Sequence, residues 1–222
     1  MGTTRFTDRA AAGQALGERL SATHARRSDA VVLGLPRGGV LVAAGVAARL
    51  AAPLDVLVVR KLGLPWQPEL AMGAIAAVGE TVEMVRVGSV LAAARVDPET
   101  FESVRQQELI ELRRRESAYR DGRPPVAVAG RTVIVVDDGL ATGATMHAAV
   151  LAVRGQAPRR VTVAVPVGSP SACSALAGVA DEVVCLSAPH TFRAVGQAYA
   201  NFSETSDAEV RAALAQSWGT SS

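Results

Sequence analysis

Thr132–Val136 (TVIVV) is a run of β-branched residues that leads without a break into two adjacent acids, Asp137 and Asp138, and a turn rich in Gly, Ala and Thr. Branched side chains pack well on a pleated surface and lose rotamer freedom in a helix, so the run reads as a strand. It is apolar at consecutive positions rather than alternate ones, which means that both of its faces are covered. The chain must therefore build a sheet enclosed between helices. Ala30–Leu35, Asp55–Val59, Val161–Val165 and Glu182–Leu186 read as further strands, and Val40–Leu50 and Ser171–Ala177 as helices between them. This alternation predicts an α/β fold: an open, mostly parallel sheet with helices on both faces. Ala74–Val78 and Thr81–Val85 flank Gly79-Glu80 and read as two strands around a tight turn.

Helix signals fill the remainder. Thr7 or Asp8 can cap a first helix running to about Ala25. Asp97-Pro98-Glu99 opens the longest helix, which extends to Arg120, with Gly122 as its stop. Glu111/Arg115 and Glu116/Arg120 stand one turn apart. Arg113, Arg114 and Arg115 are consecutive, so they diverge by about 100° each and read as a solvated face. Arg120 and Arg123, at the exit, are expected in a loop that closes on an anion. Ser206 and Glu209 form a capping box before a last helix reaching about Gln216. The expected organisation is a single domain over residues 1–222, with a helical, flexible-loop insertion at 86–125 and a hood plus C-terminal helix at 187–222.

Composition sets outer limits. With 222 residues, 49% of them apolar, folding hides roughly 70% of the chain's surface, which is ample for a core. The longest strongly apolar stretch, Val40–Ala48, is about half of a membrane span, and the charged N-terminus up to Arg27 lacks a signal peptide's apolar centre. A soluble, cytoplasmic protein with no membrane partner is expected. A net charge of +2 is too small to suggest DNA binding by electrostatics alone. Of the 23 basic residues only Lys61 is a lysine, which singles it out as a compact point charge among guanidinium forks. Cys173, Cys185 and the histidines His24, His147 and His190 show no metal-ligand spacing, and no disulfide is expected.

The chemistry concentrates at Val133–Thr145, VIVVDDGLATGAT. A parallel strand delivers its acids to the C-terminal edge of the sheet, where ligands bind in such folds. The turn that follows presents N–H groups and hydroxyls at the positive end of a helix, a cradle for phosphate. Acids beside a phosphate cradle suit a sugar phosphate whose hydroxyls need acceptors. A strand, two acids and a Thr-Gly-x-Thr-like turn in this order resemble the type I phosphoribosyltransferases. That resemblance implies binding of 5-phosphoribosyl-1-pyrophosphate (PRPP) with Mg2+, and transfer of phosphoribose to a small, heteroaromatic acceptor with release of pyrophosphate. Asp137 and Asp138 then hold the ribose hydroxyls and face the metal directly or through water, and Ala141, Thr142, Gly143, Ala144 and Thr145 wrap the 5′-phosphate. By the same resemblance Arg37, Gly38 and Gly39 grip pyrophosphate in a loop that often contains an unusual non-proline peptide, and an ordinary tight turn is the alternative there. Arg60 and Lys61, expected at the end of the second strand, add cations to the pyrophosphate. Asp138, Lys61 and Arg37 are the expected catalytic residues.

The family's acceptor sits under a variable hood, here Ser187–Phe202, where Phe192 and Tyr199 are candidate stacking surfaces; a small satellite core is the alternative. Ala141 replaces the Asp that 6-oxopurine enzymes of the family carry, which disfavours hypoxanthine or guanine. Glu69 either faces the sugar or acceptor, or begins a helix. A homodimer is common in the family. The competing function is a catalytically silent PRPP-sensing regulator, with RNA binding by an Arg-bearing face that includes Arg113–Arg115.

Overall fold

The computed structural model describes residues 5–24 and 28–219. In chain order the first half holds α1 (Arg9–His24), β1 (Ala30–Gly34), α2 (Gly38–Leu50), β2 (Leu54–Val56), β3 (Val59–Leu64), β4 (Gln67–Val78), β5 (Thr81–Arg86) and α3 (Gly88–Ala93). The second half holds α4 (Pro98–Arg120), β6 (Thr132–Val136), α5 (Ala144–Gly155), β7 (Arg160–Val167), α6 (Pro170–Leu176), β8 (Glu182–Ser187) and α7 (Asp207–Gly219). Five strands pair in the order β2-β1-β6-β7-β8, all parallel. β3, β4 and β5 form a separate antiparallel sheet.

The pleat sorts the apolar runs into two cores, because successive side chains point to opposite faces. Val32, Ile134, Val136 and Ala164 meet Leu16, Leu20, Val40 and Val46 of α1 and α2 on one face. On the other face Val31, Leu33, Val133 and Val163 meet Met146, Val150 and Val153 of α5. Helices thus cover both faces of the parallel sheet, as the uninterrupted apolar strands require. Among the described residues no helix is long and apolar enough to cross a membrane.

The expected caps form. The Ala11 N–H donates to Asp8 Oδ1 (2.9 Å) and the Thr100 N–H to Asp97 Oδ1 (2.8 Å). The Ser206 N–H donates to Glu209 Oε2 and the Glu209 N–H to Ser206 Oγ. Cys173 and Cys185 are free thiols on α6 and β8. Arg114 and Arg115 pair with Glu111, and Arg113 pairs with Glu116, on a largely solvated helix face.

Two expectations fail, and one of the two readings of Glu69 falls. The second strand ends at Val56 rather than Val59, because its neighbour β1 already ends at Gly34. The chain then crosses into the antiparallel sheet, so Arg60 and Lys61 lie within β3 and not at a parallel strand's end. Glu69 sits on the exposed half of β4 and starts no helix. Arg120 is not in a mobile loop. It is buried, donating from Nε to Asp55 Oδ1 (3.0 Å) and pairing with Glu116 through Nη1, while Asp55 also accepts from the Val56 and Val126 N–H groups. Arg123 lies 4.5 Å from the Trp218 ring centroid. The cluster fastens the end of α4 to β2, so Arg120 is structural. Arg120→Ala is expected to cost about 3 kcal/mol, since it leaves the buried Asp55 without its cation and Glu116 with Arg113 alone; urea unfolding against the wild type measures this.

Candidate functional site

β1 and β6 are neighbours in register, Gly34 opposite Val136, so the loops that follow them emerge side by side. The loop after β1 carries Pro36, Arg37, Gly38 and Gly39, with a cis Pro36–Arg37 peptide, and α2 starts at Gly38. The loop after β6 begins with the acid pair. The two loops touch: a Cβ on Gly38 would lie 2.0 Å from Asp138 Oδ2, and one on Gly39 would lie 2.8 Å from the Asp137 Cα. Only residues without side chains allow this approach.

Asp137 and Asp138 differ in surroundings. Asp137 Oδ1 accepts the Asp138 N–H at 2.8 Å. Burial, and next the charge of Asp138, push its carboxyl pKa well above the ordinary range. Burial also raises Asp138, but Arg9 counters this by donating from Nε to Oδ2 at 2.8 Å. Tyr199 donates its hydroxyl to the Asp138 carbonyl (2.6 Å). Burial, and then the nearby Asp138 charge, push the phenol pKa up, so Tyr199 stays a donor.

The small-residue turn continues from the acids to α5, with Gly143 at the helix start in left-handed geometry (φ 76°). Ala141, Thr142 and Ala144 are exposed. The back of the turn is fixed: Ser169 Oγ donates to the Ala141 carbonyl (2.8 Å), and the Leu140 N–H donates to Val167 O (2.9 Å). Its front is the start of a helix, where N–H groups lack intrahelical partners; the Ala144 N–H makes only a long contact to Thr142 Oγ1 (3.4 Å).

A family model described as phosphoribosyl transferase domain matches residues 3–201. The chain belongs to this phosphoribosyltransferase family. It is 49% identical over 209 residues to the Mycobacterium tuberculosis (strain H37Rv) protein named "Putative phosphoribosyl transferase Rv0571c", covering 94% of this chain and 46% of that one. The counterpart from strain CDC 1551 matches to the same extent. The chain thus spans about half the length of the curated relatives it matches. The crystal structure of TT1426 from Thermus thermophilus superposes with a TM-score of 0.84 at 47% identity, covering 96% of this chain and 98% of that one.

In this phosphoribosyltransferase chain the acids, the Gly38–Gly39 loop and the Ala141–Thr145 turn come together. Other predicted residues do not fall as expected. Arg60 turns towards α4 and donates to Glu108 (2.6 Å), because neighbours on a strand point to opposite faces. Lys61 is exposed and lines a cavity of about 600 Å³ with Arg86, His147 and Thr142–Ala144, and also a second one beside Arg60 and Glu108. Arg37 is paired with Glu204. Tyr199 is buried between Phe6 and Phe202 (ring centroids 5.8 and 5.0 Å away), so it offers no open stacking face. It belongs to the satellite core with Phe6, Ala12, Val167 and Ala198. Phe192 stays partly exposed and lines a cavity of about 690 Å³ with Arg5, Thr191, Arg193 and Gln197. His190 is exposed.

Arg9 and Glu204 are absent from the sequence-based set, since each meets its partner over more than a hundred residues of chain. The local signal near Arg9 was only the Asp8 cap.

The raised pKa of Asp137 has a consequence for stability. Its folded value lies above the unfolded one, so its stabilising contribution is complete below 3.8 and is lost as pH rises through the folded value. Asp137→Asn keeps the acceptor for the Asp138 N–H and removes the charge. At neutral pH it is expected to raise the melting temperature by about 3 °C, equivalent to ~1 kcal/mol in a chain of this size. Melting curves recorded towards pH 3.8 are expected to converge with those of the wild type.

Proposed function

We propose that the chain binds PRPP with Mg2+ and transfers its 5-phosphoribosyl group to a small heteroaromatic acceptor, releasing pyrophosphate. The observation that carries this reading is the direct packing of Gly38 and Gly39 against Asp137 and Asp138, with the open turn before α5 alongside. Carboxylate acceptors for vicinal hydroxyls, a cradle for one phosphate and a second loop with a guanidinium are what PRPP needs, in the order of its own groups.

Asp137 and Asp138 accept the ribose hydroxyls. The N–H groups and hydroxyls of Ala141–Thr145 hold the 5′-phosphate, with Lys61 supplying a cation from the facing sheet. Arg37, Gly38 and Gly39 hold pyrophosphate once Arg37 exchanges Glu204 for it. That exchange meets little resistance, because Arg37 and Glu204 are 41% and 79% exposed and exposed ion pairs are weak. Arg60 has no part in this arrangement.

The donor set suits Mg2+. No group of three or more His, Cys, Asp or Glu side chains among the described residues could hold a metal on its own. Mg2+ commonly takes one or two carboxylates, keeps waters and completes its shell with substrate phosphates, which the acid pair permits. When bound, Mg2+ neutralises charge that builds on the departing pyrophosphate.

In the reaction the bond from the sugar C1 to the pyrophosphate oxygen breaks, and a bond from C1 to an acceptor nitrogen forms. That nitrogen loses its proton to solvent or a nearby base. Fixed N–H groups in the Gly38–Gly39 loop stabilise the leaving oxygens without reorganising. In this reading the acceptor sits in the cavity lined by the partly exposed Phe192, with Gln197 for a hydrogen bond and Arg5 and Arg193 as cations. The RNA-binding alternative lacks comparable support, because Arg113, Arg114 and Arg115 fan out around one helix beside Glu111 and Glu116 rather than lining one groove.

Phosphorus NMR with PRPP, Mg2+ and pooled nucleobases or aromatic acids tests the reading. Pyrophosphate is expected to grow with one pool, and Asp138→Asn to slow it on the order of 100-fold. PRPP resonances unchanged in every pool would overturn it.

A further inference from the structure

Asp138 is read above as a ribose ligand, yet one of its oxygens is already taken. Arg9 Nε donates to Oδ2 at 2.8 Å, and among the described residues no side chain donates to Oδ1. The pair is largely enclosed, with the side chains 11% and 16% exposed. It lies flat on the loop after β1, since a Cβ on Gly38 would come within 2.6 Å of Arg9 Nε.

Arg9 is itself held on two further sides. Nη1 donates to the Ser203 carbonyl at 2.8 Å, and the guanidinium stacks 4.0 Å from the Phe202 ring centroid. A planar fork can meet a carboxylate, a carbonyl and a ring at once, which an ammonium cannot do. The ring rests in turn on Tyr199, whose hydroxyl fixes the Asp138 backbone. The backbone and the side chain of Asp138 are thus each tied to the arm formed by residues 199–203.

We propose that Arg9 is a positioning residue of the PRPP site. It pins Oδ2 of Asp138 against the Gly38 loop and so turns Oδ1 towards the ribose hydroxyls. The inference rests on the PRPP reading. Arg9 also neutralises the enclosed Asp138 charge, but neutralisation alone asks only for a nearby cation, whereas Ser203 and Phe202 fix this guanidinium in one orientation on Oδ2.

The two roles separate by ligand. PRPP carries the ribose diol and pyrophosphate does not, so a residue acting through Asp138 affects the first much more than the second, which meets Asp138 only through Mg2+. Calorimetric titration with each ligand in MgCl2 is expected to show Arg9→Ala weakening PRPP by about tenfold while pyrophosphate changes by less than about twofold. Arg9→Gln keeps an aliphatic stem with a polar end and removes the cation; it is expected to show the same selective loss, and it carries the comparison should Arg9→Ala fail to fold. Phe202→Ala, which leaves the Nε contact in place, is expected to lower the melting temperature more than it lowers PRPP affinity. Equal weakening of both ligands, or no change in either while the wild type binds PRPP, overturns the role of Arg9. A wild type that takes up neither ligand overturns the PRPP reading, and this inference with it.

Discussion

The site depends on how closely two loops approach at the paired ends of β1 and β6. Gly38 and Gly39 lie against Asp137 and Asp138 at distances that leave no space for a Cβ. Because β1 and β6 are parallel and in register, their following loops have to emerge together. Once they do, an acid pair and a loop of backbone donors share one edge, and the start of α5 adds a third set of donors. The two apolar cores position this edge; they do not create its chemistry.

Holding two carboxylates together in a partly enclosed place is unfavourable, and the structure shows how the cost is spread. Asp137 takes the larger pKa rise, with a backbone N–H as its partner, and Asp138 is relieved by Arg9. Nearby, Glu204 satisfies Arg37. Two of the charges proposed to bind PRPP, Asp138 and Arg37, thus have internal counter-ions before any ligand arrives. A half-buried pair and a solvated pair are not equal, however: the solvated one yields readily, while the enclosed one fixes geometry.

Much of this was legible in the chain because it is local. The apolar runs at Ala30–Leu35 and Thr132–Val136 announced buried parallel strands, and Asp8, Asp97 and Ser206 announced helix starts. The acids, the small-residue turn and the Gly38–Gly39 loop could be read as a site because each is a contiguous motif at a strand end. The readings that failed depended on where the chain goes next. Asp55–Val59 has an apolar pattern that a strand could keep, but β1 is too short to pair with all of it. Arg120 carries the same guanidinium as a loop arginine, and only its packing against Asp55 and Glu116 makes it structural. Tyr199 has a ring suited to stacking on a ligand, and the chain stacks it on Phe202 instead.

By itself, the sequence determined the enclosed sheet, the acid pair and the small-residue turn, since side-chain periodicity and capping act over a few residues. The tertiary structure decided which charges meet. Arg9 and Asp138 stand 129 residues apart, and nothing in the spacing of either points to the other. Their contact follows from α1 packing beside α2 and from the 199–203 arm crossing above them, because ion pairs form between groups that the fold brings close, whatever the length of chain between them.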